Sequence, residues 1–418
     1  MGKDIVYETY YQYCCKKMPI KDKRIIFESR TGKEFAANLW YLLQEIRKEQ
    51  ETYEIGILVT KECREQIEKK FLKAGISNVT FITVYSAAYY RWISTAKYLF
   101  VDTSMERVYV KREGQVLINT WHGTPLKKMG RDENTSAYAM WNIQRNFLMS
   151  DYLLYPSEAM CNLMMHAYQI APLYQGTVLL EGYPRNSIFF EEERADIRER
   201  LGLVGKQVIM YMPTWRGIVG KEKQDEQLTR LKGMLDQLDK KLDASQVLFV
   251  KLHPFVTKGI SMEIYKHIRN YEETEDVYEF LTCCDTLITD YSSIFFDFAN
   301  TRKKIILFPY DLEEYQKDRG LYIDLEQLPF PIVYNVEELS KELQMGITYD
   351  DRAFLEKFCT YDNKDAAKHI VEQVLHGKKC CKEWKNTEKK KKNVLLIRVR
   401  EEGLELYDDC ICLLHPHY

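Results

Sequence analysis

The sequence predicts an α/β protein of two Rossmann-like domains facing a cleft. Three observations carry that expectation. Short apolar runs rich in β-branched residues alternate with longer stretches of helical periodicity, the pattern of parallel sheets with helices on both faces. The alternation runs through twice, with a break near 182–186. The 418 residues suit two to three domains at roughly 150 residues each. The expected boundaries are 1–184, 185–377 and a basic linker with a C-terminal appendage over 378–418.

In the first run, 24–27 reads as a strand and 33–48 as a helix, with Phe35, Leu39, Leu42, Leu43 and Ile46 spaced for one face. Strands follow at 55–59, 79–84, 98–102 and 116–120, with a helix at 62–72. The segment 136–149 is helical, 152–155 a strand, and 157–168 a helix opened by Ser157 as its cap. A strand at 178–180 closes this half. In the second run, strands are expected at 207–212, 247–252, 286–289 and 304–308. Its helices are expected at 222–242, 277–281, 292–299, 337–344, 352–358 and 364–375. The tyrosine-rich stretches 7–13 and 89–92 are amphipathic and read as half-buried packing. Beyond Gly377, 378–392 reads as linker with a lysine run, and 394–399 as a further strand.

Lys plus Arg total 60 against 62 Asp plus Glu, a balance that argues against a general nucleic-acid binder and leaves room for a local basic pocket. The 11 cysteines, three vicinal pairs among them, suggest reduced thiols, and no Cys/His spacing suggests a metal site. There is no signal-peptide pattern and no apolar run near the ~20 residues of a membrane span, so a cytoplasmic protein, soluble or peripheral to a membrane, is expected.

Four segments follow predicted strands and so fall at the sheet edge where open α/β sheets bind ligands. His122 leaves a strand into Gly123-Thr124-Pro125, with Lys127 and Lys128 close behind. A histidine titrates near neutral pH, which suits proton transfer, although a structural histidine is an equal reading. Thr214-Trp215-Arg216 supplies a guanidinium whose planar fork suits phosphate oxygens. His253-Pro254 again places a histidine after an apolar strand. Asp290, Ser292 and Ser293 stand before a helix, where hydroxyls and backbone N–H groups either cap the helix or bind an anion. Together they describe a phosphate-rich ligand in an interdomain cleft. No Walker loop and no Gly-x-Gly-x-x-Gly fingerprint occurs.

Five motifs in order, Thr120–Lys127, Gly182–Asn186, Pro213–Arg216, Leu252–Pro254 and Thr289–Ser293, resemble the CDP-glycerol glycerophosphotransferases of teichoic acid synthesis. Phe308–Asp311, Arg319-Gly320 and Asp324 fit the same pattern, and the resemblance covers 24–375. It implies a GT-B fold, an acceptor side in the first domain and a CDP-alditol site in the second. It implies transfer of glycerol phosphate to a hydroxyl with release of CMP, and no cofactor. It implies catalytic roles for His122, as base, and His253. Donor-phosphate contacts fall to Thr214, Arg216, His253, Asp290, Ser292 and Ser293, and acceptor-side contacts to Gly123, Thr124 and Lys127. The implied partners are a CDP-alditol donor, a lipid-linked or glycan acceptor and the cytoplasmic face of the membrane. Where the family commonly has a Gly-Pro pair, this chain has Leu328-Pro329-Phe330-Pro331, a departure that bears on donor identity. CDP-ribitol as donor, a nucleotide-sugar transferase on the same fold and a non-catalytic scaffold remain as alternatives. Two amphipathic helices, 138–149 with Met140, Trp141, Ile143, Phe147 and Leu148, and 157–168 with Met160, Leu163, Met164 and Met165, are candidates either for the membrane interface or for the core.

Overall fold

The computed structural model describes residues 2–133, 137–191, 195–214, 221–252, 260, 262–271, 276–312, 315, 320–385, 396–400 and 403–407. Seven of the eight strands of the first sheet run in the order β7-β6-β5-β4-β1-β2-β3: β1 (Lys21–Glu28), β2 (Glu54–Val59), β3 (Thr80–Thr83), β4 (Ala96–Val101), β5 (Val116–Asn119), β6 (Tyr152–Tyr155) and β7 (Thr177–Leu180). All these neighbours are parallel. The second sheet is β8 (Gln207–Met212), β9 (Gln246–Val250), β10 (Ile268–Asn270), β11 (Thr286–Thr289) and β12 (Lys304–Leu307), also parallel, in the order β10-β9-β8-β11-β12. Central strands such as β9 and β11 are buried along their whole length, as parallel strands covered on both faces must be. Strand order reverses between β1 and β4 in one sheet and between β8 and β11 in the other. Crevices at such switch points are the natural ligand sites of open sheets. Two parallel sheets with these edges turned toward each other form a GT-B arrangement, as the sequence predicts.

The two halves share one apolar core. A single cluster runs from Ile25 and Phe100 in the first sheet to Phe295 and Ile370 in the second half. The last long helix, Ala366–His376, crosses back onto the first half. There His369 Nδ1 meets Glu181 Oε2 at 3.1 Å and His376 Nε2 meets Glu49 Oε2 at 2.8 Å.

Several expectations need correction. The helix expected over 33–48 begins only at Ala37, because Arg30, Thr31 and Gly32 form a tight turn at positive φ. The tyrosine-rich stretches lie on helices Gly2–Lys17 and Ala87–Thr95, which pack on each other through Tyr7 stacked on Tyr90 at 5.2 Å. The linker expectation fails at Lys382–Glu383: this strand, β13, pairs antiparallel with β7 and covers an otherwise open sheet edge. The strand expected at 394–399 is found as β14 (Leu396–Arg400), paired with β15 (Gly403–Tyr407). The membrane faces turn inward. Phe147, Met160, Met164 and Met165 are buried in the main core, with Met140, Ile143, Leu148 and Leu163 packed against it, and of the named residues only Trp141 stands exposed. An apolar stripe meets a core and a bilayer equally well, and here the core takes it. The departure at Leu328–Pro331 is likewise a matter of packing: Phe330 is buried against Tyr349 and Phe354, with ring centroids at 5.3 and 5.0 Å. No helix among the described residues is long and apolar enough to cross a membrane.

Candidate active site

The first half contributes three neighbouring strand exits. β5 ends at Asn119, whose side chain accepts from Trp121 N at 2.9 Å and bends the chain sharply. Trp121 takes φ 51°, is buried, and stacks on the His122 ring at 4.2 Å. His122 Nδ1 lies 2.8 Å from the carbonyl oxygen of Asp102, which leaves β4. A carbonyl only accepts, so Nδ1 carries the proton and Nε2 keeps its lone pair. Burial, then the positive charge of Arg30, pushes the imidazole down to about 3, with a smaller push from Arg185 and against the Asp102 hydrogen bond. The ring is therefore neutral throughout the physiological range.

The Asp102 carboxylate holds the exit of β1, accepting from Ser29 Oγ at 2.7 Å and Arg30 N at 2.8 Å. Beside it Glu28 is buried, with its Oε2 unpartnered, and its carboxyl is pushed up to about 8 by burial and then by Asp102 and Glu106.

The second half meets this edge directly. A Cβ added to Gly123 would lie 2.8 Å from Ser293 Oγ, so only glycine admits this approach. Ser293 precedes the short helix Ile294–Phe298, yet its hydroxyl makes no capping bond. The capping alternative is thus set aside for Ser293, while Ser292 Oγ accepts weakly from Ile294 N at 3.4 Å. Asp290 is buried and accepts from Thr214 N at 2.8 Å and Tyr291 N at 2.6 Å. Expected as a phosphate contact, Asp290 uses its Oδ1 to tie the β8 and β11 exits together, which places Thr214 beside the Ser292-Ser293 turn.

Two residues expected on the acceptor side have structural partners here. Thr124 is buried, with its hydroxyl 3.6 Å from Met160 Sδ inside the first half. Lys127 bridges backbone to backbone with Leu321, and its ammonium lies 5.4 Å above the Tyr315 ring, which stacks on Tyr291 at 3.7 Å. It thus joins the halves. Arg216 and His253 lie outside the described residues.

The site also contains an element that its residue types did not reveal. Arg185, in the Gly182–Asn186 motif, is almost wholly buried between the halves. Its Nη1 donates to His122 O at 3.0 Å and its Nη2 contacts Asp297 Oδ2 at 2.9 Å. Tyr278 OH donates to the same Asp297 oxygen at 3.0 Å. The motif flagged Arg185, but nothing in the sequence pairs it with Asp297.

The fold is of the GT-B type, and it brings the expected catalytic and donor-side segments together where the two halves meet. The model of the CDP-glycerol:poly(glycerophosphate) glycerophosphotransferase family matches residues 10–376, and the chain belongs to that family. A teichoic acid poly(glycerol phosphate) polymerase of Bacillus spizizenii is 29% identical over 86% of this chain and 93% of its own. A polymerase of the same description from Bacillus subtilis is 28% identical over 90% of this chain, which spans only 52% of that longer protein. Ribitol-phosphate polymerases and primases match at 22 to 26% identity. The solved structure of the wall teichoic acid polymerase TagF superposes with a TM-score of 0.75 at 28% identity, covering 89% of this chain and 92% of that one.

Proposed function

We propose that the protein transfers glycerol phosphate from CDP-glycerol to a hydroxyl of a teichoic-acid-type acceptor and releases CMP. The acceptor oxygen attacks the β-phosphorus, the bond from that phosphorus to the bridging oxygen breaks, and CMP departs with the electron pair. His122 Nε2 takes the hydroxyl proton. The observation that carries this reading is a neutral His122, oriented by Asp102, on the turn whose Gly123 meets Ser293 across the junction, in a member of this family. Ser292, Ser293 and Thr214 line the donor side, and Arg216 and His253 are assigned there by their motifs alone. The first half, 1–184, takes the acceptor and the second, 185–377, the donor. Phosphoryl transfer rests mainly on positioning and charge stabilisation, which such a set supplies. Glycerol is preferred to ribitol because the glycerol-phosphate relatives are the more similar.

The acceptor in this reading is lipid-linked and met at the cytoplasmic membrane face. Trp141, exposed and with the Arg145 guanidinium 5.7 Å from its ring, is the contact to test by flotation with anionic vesicles. The activity is tested by incubating the protein and acceptor with CDP-glycerol, CDP-ribitol or nucleotide sugars. CMP release from CDP-glycerol is expected, lost by ~100- to 10,000-fold in a folded His122→Ala variant. Nucleoside diphosphate release from a nucleotide sugar, or near-normal turnover by His122→Ala, refutes the reading.

A further inference from the structure

We propose that Arg30 is the acceptor-side anion contact: its guanidinium receives a phosphate of the glycerol-phosphate chain whose terminal hydroxyl attacks the donor. The proposal rests on the activity proposed above and adds a residue and a ligand group to it.

Position comes first. β1 and β4 flank the switch point of the first sheet, and Arg30 leaves β1 there while Asp102 leaves β4. The donor-side groups Thr214, Ser292 and Ser293 occupy the corresponding edge of the other sheet, so the crevice at Arg30 is left for the second substrate.

Rigidity is the second point. Arg30 N is held by Asp102 Oδ1 at 2.8 Å, and His122 Nδ1 by the carbonyl oxygen of the same residue at 2.8 Å. One aspartate therefore fixes both the arginine and the proposed base. Arg30 and Thr31 adopt φ 47° and 55°, a conformation that non-glycine residues rarely take. Ser29 Oγ on Asp102, and Thr60 N on Gly32 O at 2.7 Å, keep the turn closed. Gly32 leaves no slack, since a Cβ there would meet Thr60 N at 3.0 Å.

The third point is the side chain. Arg24, Arg185, Arg198, Arg302 and Arg352 each hold a carboxylate. Arg30 is exposed, and its guanidinium makes no salt bridge or side-chain hydrogen bond among the described residues, although its charge acts on the Asp102 carboxylate. A planar fork on a turn held in place, engaged in no salt bridge, is preorganised for phosphate oxygens. Its charge also reaches the His122 ring and adds to burial in favouring the neutral imidazole.

Calorimetry on the full chain tests this, with a synthetic oligomer of glycerol phosphate and, separately, CDP-glycerol. Arg30→Asn removes the charge while suiting the left-handed conformation, and Arg30→Lys keeps the charge without the fork. Thermal melts of both variants should match wild type. Oligomer affinity should fall by about 10- to 100-fold in Arg30→Asn and by less in Arg30→Lys, while CDP-glycerol affinity stays within about twofold. Unchanged oligomer affinity, no binding of the oligomer by wild type, or an equal loss of donor affinity overturns the assignment, the last by moving Arg30 to the donor diphosphate. Binding is read without turnover, so the result stands apart from whether wild type releases CMP from CDP-glycerol, the outcome on which the activity itself depends.

Discussion

Replacing Arg185 with Met removes the buried cation that joins the two halves. Its Nη2 faces Asp297 at 2.9 Å, its Nη1 supports the His122 carbonyl at 3.0 Å, and its guanidinium lies 4.4 Å from the Tyr183 ring. Methionine keeps much of the side chain's volume but strands the Asp297 carboxylate, which retains only its Tyr278 and backbone surroundings. Breaking a buried pair from one side typically costs 3–5 kcal/mol, so Arg185→Met should be destabilised by about that amount. Asp297→Leu should cost about as much by stranding Arg185. The double variant has neither charge to strand, and its loss should fall short of the sum by about 2–3 kcal/mol. Activity separates the two roles of the arginine. The support of the His122 loop is absent in both Arg185→Met and the double variant, so turnover should stay about 10- to 100-fold low even where stability returns. Urea melts and CMP release read the two quantities. A melt of Arg185→Met within about 1 kcal/mol of wild type, or strictly additive losses, refutes the argument.

Gly123→Ala should lower the melting temperature and turnover together, since its new Cβ meets Ser293 Oγ at 2.8 Å and its φ of +154° strains an alanine, and Ser293→Gly in the same chain should restore only part of the melting temperature; a Gly123→Ala protein that melts and turns over like wild type shows the junction to be loose. Glu28, pushed up to about 8, is neutral when folded but ionises above about 4.3 in the unfolded chain, so stability is lost as pH rises from about 4 to about 8. Glu28→Gln should therefore gain on wild type between about pH 5.5 and about pH 8.5, by at most about 3 kcal/mol, and an equal gain at both values refutes the buried, raised carboxyl.

Much of this molecule is legible in its sequence because parallel sheets announce themselves. β6, β8 and β11 match their predicted ranges, since buried strands need unbroken apolar runs and little else satisfies them. The His122 turn is legible because a histidine and a glycine follow an apolar strand directly, although a structural histidine is as good a reading there. The Arg185–Asp297 pair is not legible: its partners stand 112 residues apart, and ion pairs leave no periodicity. β13 is two residues long and exists only because β7 offers it an edge. The turn at Arg30 and Thr31 defies local propensity, since nothing in Ser-Arg-Thr-Gly asks for positive φ before the glycine; Asp102, some 70 residues on, imposes it.

The low basicity of His122 has a consequence for its proposed role. A base held at about 3 is always unprotonated near neutrality but pulls weakly on a proton. Burial is the largest cause, and the charge of Arg30 is next. A donor diphosphate beside Ser293 and an acceptor phosphate on Arg30 both bring negative charge toward the ring, and negative charge favours imidazolium. Substrates thus strengthen the base at the moment it is needed. In the free protein, kcat/KM should show no acid limb near the usual histidine value of ~6.5, because His122 stays neutral well below it. The acid limb of kcat, which reports the loaded protein, should lie at higher pH than that of kcat/KM. Arg30→Asn removes a positive charge, so it should move the kcat/KM limb upward as well. A limb that stays in place or moves downward in Arg30→Asn separates Arg30 from the electrostatics of His122.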